Sequence, residues 1–350
     1  MNMTETAQRM KKGSAHIEIL DFLRGIAALS VVLFHFSGSA LPTIKPNALT
    51  DFFSWGKLGV QVFFVISGFI IPYAMYASGY NIKNAFKFIG KRLIRIGPPA
   101  WIAVLLLFII YYGAIAMNGK PVEGMPWPGI SFEATIANLF FSYSLIGTGL
   151  YNEVYWTLEV EFQYYVIIAF LLPVLLKYAK NELALTAILL AVNATYLIHF
   201  DRILFFQNNS FFLLGILLFL YKTGHIKRGY MGYATIVMML ICYAQQGLPN
   251  AFAAIITFLT IAYVQFTNPV TTFLGKISYS LYITHHFAGI TAEFILRNLT
   301  GLQVSEPLKV VMVLVYTGIA ILFAWIFYLL IETPSLRLAQ KIKLTKYKNN

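Results

Sequence analysis

The sequence contains a single cysteine, Cys242, and little charge, since only 11% of its 350 residues are Asp, Glu, Lys or Arg. One cysteine excludes an intramolecular disulfide framework and a metal site built from several thiolates. Soluble domains carry about 25% charged residues, so the scarcity of charge argues against a soluble enzyme. Among the charged residues, acidic ones are fewer, with 14 Asp and Glu against 26 Lys and Arg, and the net charge is +12.

The chain is rich in hydrophobic residues, which make up 59% of it and give it a mean hydropathy of +0.70. Ten apolar segments have the length, or nearly the length, that a membrane-spanning helix needs. They are 17–37, 58–78, 98–117, 154–176, 182–200, 203–221, 230–246, 250–267, 271–296 and 308–332. The sequence therefore predicts an all-α fold, a polytopic bundle of about ten transmembrane helices.

The basic residues are distributed unevenly between the connections of these segments. Nineteen of the 26 fall on the side of the N-terminus, six fall on the other side, and Arg24 lies within the first segment. Because cytoplasmic connections are enriched in Lys and Arg, both termini are expected in the cytoplasm. The excess of basic charge thus indicates membrane topology and not nucleic-acid binding. We predict one integral membrane domain over 1–350, with a cytoplasmic N-terminal segment 1–16 and a basic cytoplasmic tail 335–350.

Three ionisable residues share one face of the first predicted helix: Asp21, Arg24 and His35. Eleven residues separate Arg24 from His35, which is about 20° past three full turns and roughly 16 Å along the axis. Charged groups inside a bilayer are costly, and they usually mark a functional site. The alternative is a structural pair of Asp21 and Arg24 at the interface together with a packing histidine.

Two arginines, Arg92 and Arg95, follow the second predicted helix at i, i+3 spacing and so project together. They are expected on a short amphipathic segment at the inner interface, with Pro98 in the first turn of the next helix. Such a pair either anchors the chain to anionic lipid or binds phosphate, since guanidinium groups bind phosphate oxygens bidentately. Ser67 and Gly68 in the second helix are small residues that allow close helix packing.

The fourth predicted helix carries two carboxylates, Glu159 and Glu161, which point about 200° apart and cannot face the same centre. The spacing alone does not say which of them faces a site. In the ninth helix, Ser278, Tyr282 and His285 recur on one face. The neighbouring His286 is expected on a different face, which it shares with Tyr279.

Six blocks of the chain, in this order, resemble those of the acyltransferase-3 family, integral membrane O-acyltransferases that mostly modify cell-surface carbohydrates in bacteria. The blocks are 20–25 with His35, 63–69, 92–96, 156–161, 274–282 with His285, and 330–334. The family has a basic residue about ten positions before an essential histidine, which Arg24 and His35 match. Glu161 takes the position of the family's glutamate, although Phe162 stands where a second acidic residue often follows.

The resemblance also implies roles for individual residues. The paired arginines of the family, which Arg92 and Arg95 match, are associated with the acyl-CoA donor, and we group Ser67 with them. The expected catalytic residues are Asp21, Arg24, His35, Glu161 and His285. Trp156, Ser278 and Tyr282 are expected to form the acceptor site or its pocket. No metal is implied. Some family members add an extracytoplasmic esterase-like domain, which is not expected in a chain that ends about eighteen residues after its last predicted helix.

The resulting hypothesis is an acyltransferase that works across the plasma membrane of a bacterium. Acyl-CoA, most simply acetyl-CoA, would be the co-substrate, with no bound cofactor, and a carbohydrate the acceptor. His35 would act as a general base on the acceptor hydroxyl or transiently carry the acyl group, with Glu161 orienting it. In the predicted topology, most of a bilayer, roughly 30 Å, separates the paired arginines from this chemistry. The sequence does not indicate an acyl group, a particular sugar or an oligomeric state.

A transporter of lipid-linked sugars or of another polar substrate is the competing hypothesis. Intramembrane Arg, Glu and His residues also suit proton-coupled transport. Transporters of this kind usually contain inverted repeats with a pair of broken helices in matching positions. The sequence shows neither feature, which favours the acyltransferase.

Overall fold

The computed structural model of the chain describes residues 18–39, 47–119, 130–198, 202–300 and 305–344. These residues form helices and turns, and no β-strand occurs among them. The α-helices are α1 Glu18–Phe34, α2 Ala48–Ser54, α3 Gly59–Ala77, α4 Ala85–Asn118, α5 Phe132–Leu139, α6 Tyr143–Ile146, α7 Trp156–Tyr178, α8 Glu182–Ala194, α9 Leu204–Lys222, α10 Arg228–Gln246, α11 Leu248–Tyr263, α12 Pro269–Thr300, α13 Glu306–Phe327 and α14 Thr333–Lys341. Two π-helical turns, His35–Ser39 and Tyr328–Glu332, continue α1 and α13. The all-α prediction is confirmed.

Each of the ten predicted apolar segments overlaps with one of these helices. By length and composition, six stretches of the described chain can cross a membrane: Glu18–Gly38, Ala48–Ala77, Ile82–Met117, Glu153–Tyr178, Leu204–Lys222 and Leu308–Lys341. The count of ten spans and the cytoplasmic placement of both termini stay predictions. The predicted N-terminal segment 1–16 and residues 345–350 of the predicted tail lie outside the described residues.

The helix that carries the paired arginines differs from its prediction. Instead of a short interfacial segment that stops before the prolines, α4 runs without a break through Pro98 and Pro99. Proline has no backbone N–H, so these two residues leave the carbonyl groups of Ile94 and Arg95 without their helical partners. The Ser335 hydroxyl lies 2.6 Å from the first carbonyl oxygen and 3.1 Å from the second, and donates to them. A neighbouring side chain thus satisfies the backbone that the prolines free, which lets the helix continue in an apolar setting.

Ser335 belongs to α14, which begins directly after the second π turn and takes up residues that were predicted as a basic tail. Its face toward α4 buries Ser335 and Ala339, while Arg337 and Leu338 on the other side are exposed. The C-terminal helix is therefore a packed part of the bundle, and it stabilises the helix of the paired arginines.

Two pairs of helices cross so closely that only glycine fits at the contact. Where α1 meets α12, a Cβ atom on Gly275 would collide with the backbone of Asp21, and one on Gly25 would press against Leu274. Where α3 meets α9, a Cβ atom on Gly68 would collide with the Phe212 carbonyl group. Small residues allow this approach in membrane bundles, where packing drives helix association. The crossing of α1 and α12 brings Arg24, one turn after Asp21, next to the residues of the ninth predicted segment.

Candidate active site

A cavity of about 160 Å³ opens inside the bundle, between α1, α3, α4, α7, α12 and the second π turn. Five charged side chains line it: Arg24, Arg92, Arg95, Glu161 and Glu332. We call it the arginine cavity. Its remaining walls are aliphatic and aromatic side chains, among them Val60, Phe63, Phe64, Ile66 and Ile70, with the polar residues Ser67, Thr157, Ser278, Tyr279 and Tyr282. Five ionisable side chains from different helices thus meet in one cavity.

Arg92 is the most enclosed of the three arginines, with 8% of its surface exposed. Its guanidinium carbon lies 5.2 Å from the ring centre of Phe88 and 5.3 Å from that of Tyr165. Such cation–π contacts hold the planar group in one orientation and leave its N–H edges available. The half-buried Arg95 follows one turn later on the same helix. This arrangement suits binding of a phosphate, and lipid anchoring explains it less well because the side chains face the interior.

The structure separates the two carboxylates of α7. Glu161 faces the arginine cavity, where its Oε1 accepts hydrogen bonds from Tyr165 Oη at 2.5 Å and from Ser67 Oγ at 3.2 Å. Glu159 is fully buried elsewhere, and accepts from the Ser144 hydroxyl and from Gln163 Nε2. Glu159 therefore joins α7 to its surroundings, and Glu161 is the carboxylate that lines the cavity.

Glu332, which the sequence-based assignment missed, is the second carboxylate of the arginine cavity. It is 5% exposed, and its Oε2 accepts from Ser280 Oγ at 2.5 Å and from the Ser280 backbone N–H at 3.2 Å. It ends the π turn Tyr328–Glu332, a geometry that is common at functional sites. One signal was available in the sequence: a lone carboxylate at the end of a long apolar run is a functional candidate by default.

A second group of side chains lies past the arginine cavity along α1 and α12. The rings of His35, His285 and His286 pack against one another, with centroids 5.1 Å apart for His35 and His285, 5.7 Å for His35 and His286, and 6.3 Å for the adjacent pair. We call these three residues the histidine cluster. The different helix faces expected for His285 and His286 do not keep them apart from this site, because both rings pack against that of His35. Within the described chain, no set of three or more His, Cys, Asp or Glu side chains is placed to hold a metal ion.

His35 opens the first π turn, His35–Ser39, and does not line the arginine cavity. Tyr282 connects the two places: it lines the cavity, and its ring centroid lies 6.1 Å from that of His285. Its hydroxyl also accepts a hydrogen bond from Thr157 Oγ1 at 2.9 Å. The approach of Glu161 to His35 stays a prediction, since the hydrogen bonds described above direct Glu161 toward Ser67 and Tyr165.

The other predicted site residues take different positions. Ser278 lines the cavity with its hydroxyl donating to the Gly275 carbonyl group at 2.8 Å. Trp156 is not among the lining residues and packs edge to face on Phe64, with ring centroids 6.3 Å apart. Asp21 also lies outside the lining, at the crossing of α1 and α12.

The structure corrects the expected distance between the paired arginines and the rest of the site. Because α4 is continuous, it carries Arg92 and Arg95 into the bundle, where they share a cavity with Arg24 and Glu161. The predicted separation of most of a bilayer is therefore wrong for Glu161, and for His35 and His285 it stays a prediction. The distance that still has to be bridged is the one along α1 from Arg24 to His35, roughly 16 Å for eleven residues.

The chain is similar in sequence to known acyltransferases. The sequence profile of a family described as Acyltransferase domain, Acyl_transf_3, matches residues 17–329. "Putative O-acetyltransferase SACOL0978" of Staphylococcus aureus (strain COL) is 25% identical, and "O-acetyltransferase OatA" of Staphylococcus aureus (strain NCTC 8325 / PS 47) is 24% identical. Both alignments cover 95% of this chain and 59% of the relative, so the chain spans about three fifths of the length of these proteins. No solved structure gives a significant match.

The family profile thus covers α1 to α13 with nearly all of the cavity and the whole histidine cluster, and the resemblance inferred from the six sequence blocks is confirmed. The chain is a multi-helix protein of the acyltransferase-3 family.

Proposed function

We propose that the protein is a membrane O-acetyltransferase, which moves an acetyl group from acetyl-CoA to a hydroxyl of a cell-surface or lipid-linked polysaccharide. Its place would be the plasma membrane of a bacterium. The observation that carries the proposal is that Tyr282 joins a cavity with three arginines to a cluster of three histidines. The names of the related proteins support acetyl as the transferred group.

The arginine cavity would bind the donor. Three arginines against two carboxylates leave it with an excess of positive charge, which suits the phosphates of coenzyme A. Arg92 and Arg95 would bind phosphate oxygens, and the apolar wall from α3 would contact the pantetheine chain. Ser67, whose hydroxyl donates to Glu161, lies between the two parts of this surface.

The histidine cluster would perform the transfer. A neutral His35 takes the proton from the acceptor hydroxyl while the oxygen attacks the thioester carbonyl carbon. The carbon–sulfur bond then breaks, and the coenzyme A thiolate leaves with the proton from the His35 imidazolium. The products are an O-acetyl ester and free coenzyme A. Direct transfer needs no acetylated histidine, so a stable acetyl adduct on His35 would contradict this step.

The distance along α1 supports binding of the two substrates at different ends of the site. A donor bound by its phosphates near Arg24 has to reach about 16 Å to bring its thioester to His35, and an extended acyl-pantetheine arm is suited to that step. The acceptor would then approach the histidine cluster from the predicted outer side. Whole polysaccharides or their lipid-linked precursors would not need to enter the cavity.

The test uses sealed proteoliposomes in which the orientation of the protein has been determined by protease accessibility of its C-terminus. Acetyl-CoA with a ¹⁴C-labelled acetyl group is placed on the predicted cytoplasmic side. The acceptor probe is surface polysaccharide of the source bacterium, stripped of O-acetyl esters with mild alkali, on the opposite side. We expect labelled polysaccharide and an equal amount of coenzyme A thiol, both only when the acceptor is present.

Two outcomes would contradict the proposal. Movement of the saccharide without release of coenzyme A would identify a transporter. Product that forms only when both substrates share one compartment would refute transfer across the membrane and would place the acceptor on the donor side.

A further inference from the structure

The imidazole of His285 is held in a single tautomer by its own helix. Its Nδ1 lies 2.8 Å from the carbonyl oxygen of Tyr282 and 3.1 Å from that of Leu281. A carbonyl oxygen only accepts hydrogen bonds, so Nδ1 has to carry the proton. In the neutral ring, the lone pair is therefore on Nε2.

That lone pair has no partner among the described residues. The side chain of His285 is fully buried, and its Nε2 makes no hydrogen bond there. A buried polar atom without a hydrogen bond costs free energy, and more in an apolar interior than near water. Such an atom in a native structure calls for an explanation, and a functional partner that arrives during the reaction is one.

The ring of His35 is the group placed to become that partner. Its centroid lies 5.1 Å from that of His285, and the ring planes are inclined by 44°. Two imidazoles that are joined by a straight N–H···N hydrogen bond also have centroids on the order of 5 Å apart. The observed spacing therefore allows the bond after a rotation of the rings, without movement of α1 or α12.

We propose that His285 is a positioning residue for His35. Its Nε2 accepts the N–H of His35, which leaves the lone pair of His35 on the other ring nitrogen, directed toward the acceptor hydroxyl. When His35 takes up the acceptor proton, the same bond stabilises the imidazolium. This inference rests on the proposed function, in which His35 is the base.

The role corresponds to that of the carboxylate in Ser-His-Asp sites, which fixes the tautomer and orientation of its histidine. The difference is charge. A neutral histidine performs the orientation without placing an unpaired negative charge within a membrane span, where such charge is expensive. The carbonyl groups of Leu281 and Tyr282 in turn orient His285, so the chain of hydrogen bonds ends on the backbone of α12.

Two substitutions at this position separate the proposed role from others. The amide of Gln reaches about as far as Nε2 and can accept the hydrogen bond, whereas the amide of Asn reaches only the position of Nδ1. We expect His285→Asn to lower kcat about 100-fold and His285→Gln to lower it less than about 10-fold. The KM for acetyl-CoA should change less than about twofold in both, because His285 does not line the arginine cavity.

A histidine outside both regions provides the matched control. His225 contacts Thr223 and Tyr76 and does not line the cavity, and we expect His225→Asn to leave kcat unchanged within about twofold. An equal loss in His285→Gln and His285→Asn would overturn the proposal, because it would mean that His285 is itself the base or serves only in packing. Melting temperatures of the purified variants in detergent show whether each of them is folded.

A second measurement does not depend on activity. The protein contains six histidines, and ¹⁵N solid-state NMR of histidine-labelled protein in bilayers reports the tautomer of each ring. The resonances of His285 are those that vanish in His285→Asn. We expect a neutral ring with the proton on Nδ1, and a proton on Nε2 would overturn the proposal. This result holds even if the acetyltransferase assay fails, so the two proposals can be refuted separately.

Discussion

The arginine cavity and the histidine cluster lie side by side on α1 and α12, yet their chemistry is opposite. The cavity collects five charged side chains and additionally uses α4, α7 and the second π turn. The cluster consists of three aromatic rings that can stay neutral. The free-energy cost of charged side chains within a membrane is offset where they bind an oppositely charged ligand. A proton-transfer site needs a ring nitrogen with a free lone pair, and neighbours that carry no charge do not favour either protonation state of the base by an ionic contact.

The largest effect should come from alanine substitutions that remove either His35 of the histidine cluster or Arg24 of the arginine cavity. We expect His35→Ala to lower kcat about 10³-fold or more, through loss of the general base, with coenzyme A affinity unchanged within twofold. Arg24→Ala, in contrast, should weaken coenzyme A binding as well as activity, since Arg24 lines the cavity. Isothermal titration with coenzyme A and a thiol-release assay measure the two quantities. Near-normal turnover of His35→Ala at normal expression would remove His35 from the mechanism.

The next largest effect should come from changing the planar guanidinium groups of Arg92 and Arg95 to ammonium groups. The double variant Arg92→Lys with Arg95→Lys keeps the charge of the cavity but loses the planar fork, and should weaken coenzyme A binding about 10- to 100-fold. The control is Arg228→Lys with Arg337→Lys, two exposed arginines on α10 and α14, which should leave the affinity unchanged. Unchanged affinity in the first double variant would favour a role of Arg92 and Arg95 in lipid anchoring.

A smaller effect on coenzyme A affinity should distinguish Glu332 from Glu159, the two buried carboxylates that accept a hydrogen bond from a serine. In Glu332→Gln, the amide oxygen can still accept from Ser280, so the main change is the loss of a negative charge from the cavity. We expect coenzyme A to bind about three- to tenfold more tightly at low salt, because the positive excess grows. Glu159→Gln should have no such effect, since Glu159 lies outside the cavity. Weaker binding in Glu332→Gln would show that Glu332 acts through the arrangement of the arginines.

The smallest effect should come from the residue that connects the two regions. Tyr282→Phe removes the hydroxyl that accepts from Thr157 but keeps the ring between the cavity and His285. Loss of one hydrogen bond should lower kcat about two- to fivefold, with no change in coenzyme A affinity. Tyr80→Phe, which loses a bond to the Ala169 carbonyl group away from both regions, is the control. A change in affinity without a change in kcat would assign Tyr282 to the cavity alone.

The helices could be predicted from the sequence because length and hydrophobicity determine a membrane-spanning segment. The error at α4 has a physical cause that only the fold reveals. Pro98 and Pro99 are helix breakers by local rules, but Ser335 satisfies the carbonyl groups they free. No pattern within a window of twenty residues contains that information.

The sequence could single out Arg24 and His35 because α1 and the π turn that continues it carry both, and their catalytic roles stay predictions. The site was not predictable where two helices meet. Spacing alone left Glu159 and Glu161 undecided, and the neighbours Ser67 and Ser144 on other elements separate them. A helical wheel places His285 and His286 on different faces of α12, and it does not show that the ring of His35 on another element contacts both.

The hydrogen bonds from Ser335 to α4 also have a consequence for biosynthesis. Ser335 lies about 240 residues after the carbonyl groups that it satisfies, so α4 enters the membrane long before its partner leaves the ribosome. Until then, two backbone carbonyl groups next to the paired arginines lack their native donor. The histidine cluster comes from α12 and the π turn after α1, but the helix of the paired arginines depends on a donor in the last part of the chain. Nascent chains that stop before residue 333 should therefore assemble α1 against α12 and still fail to retain coenzyme A.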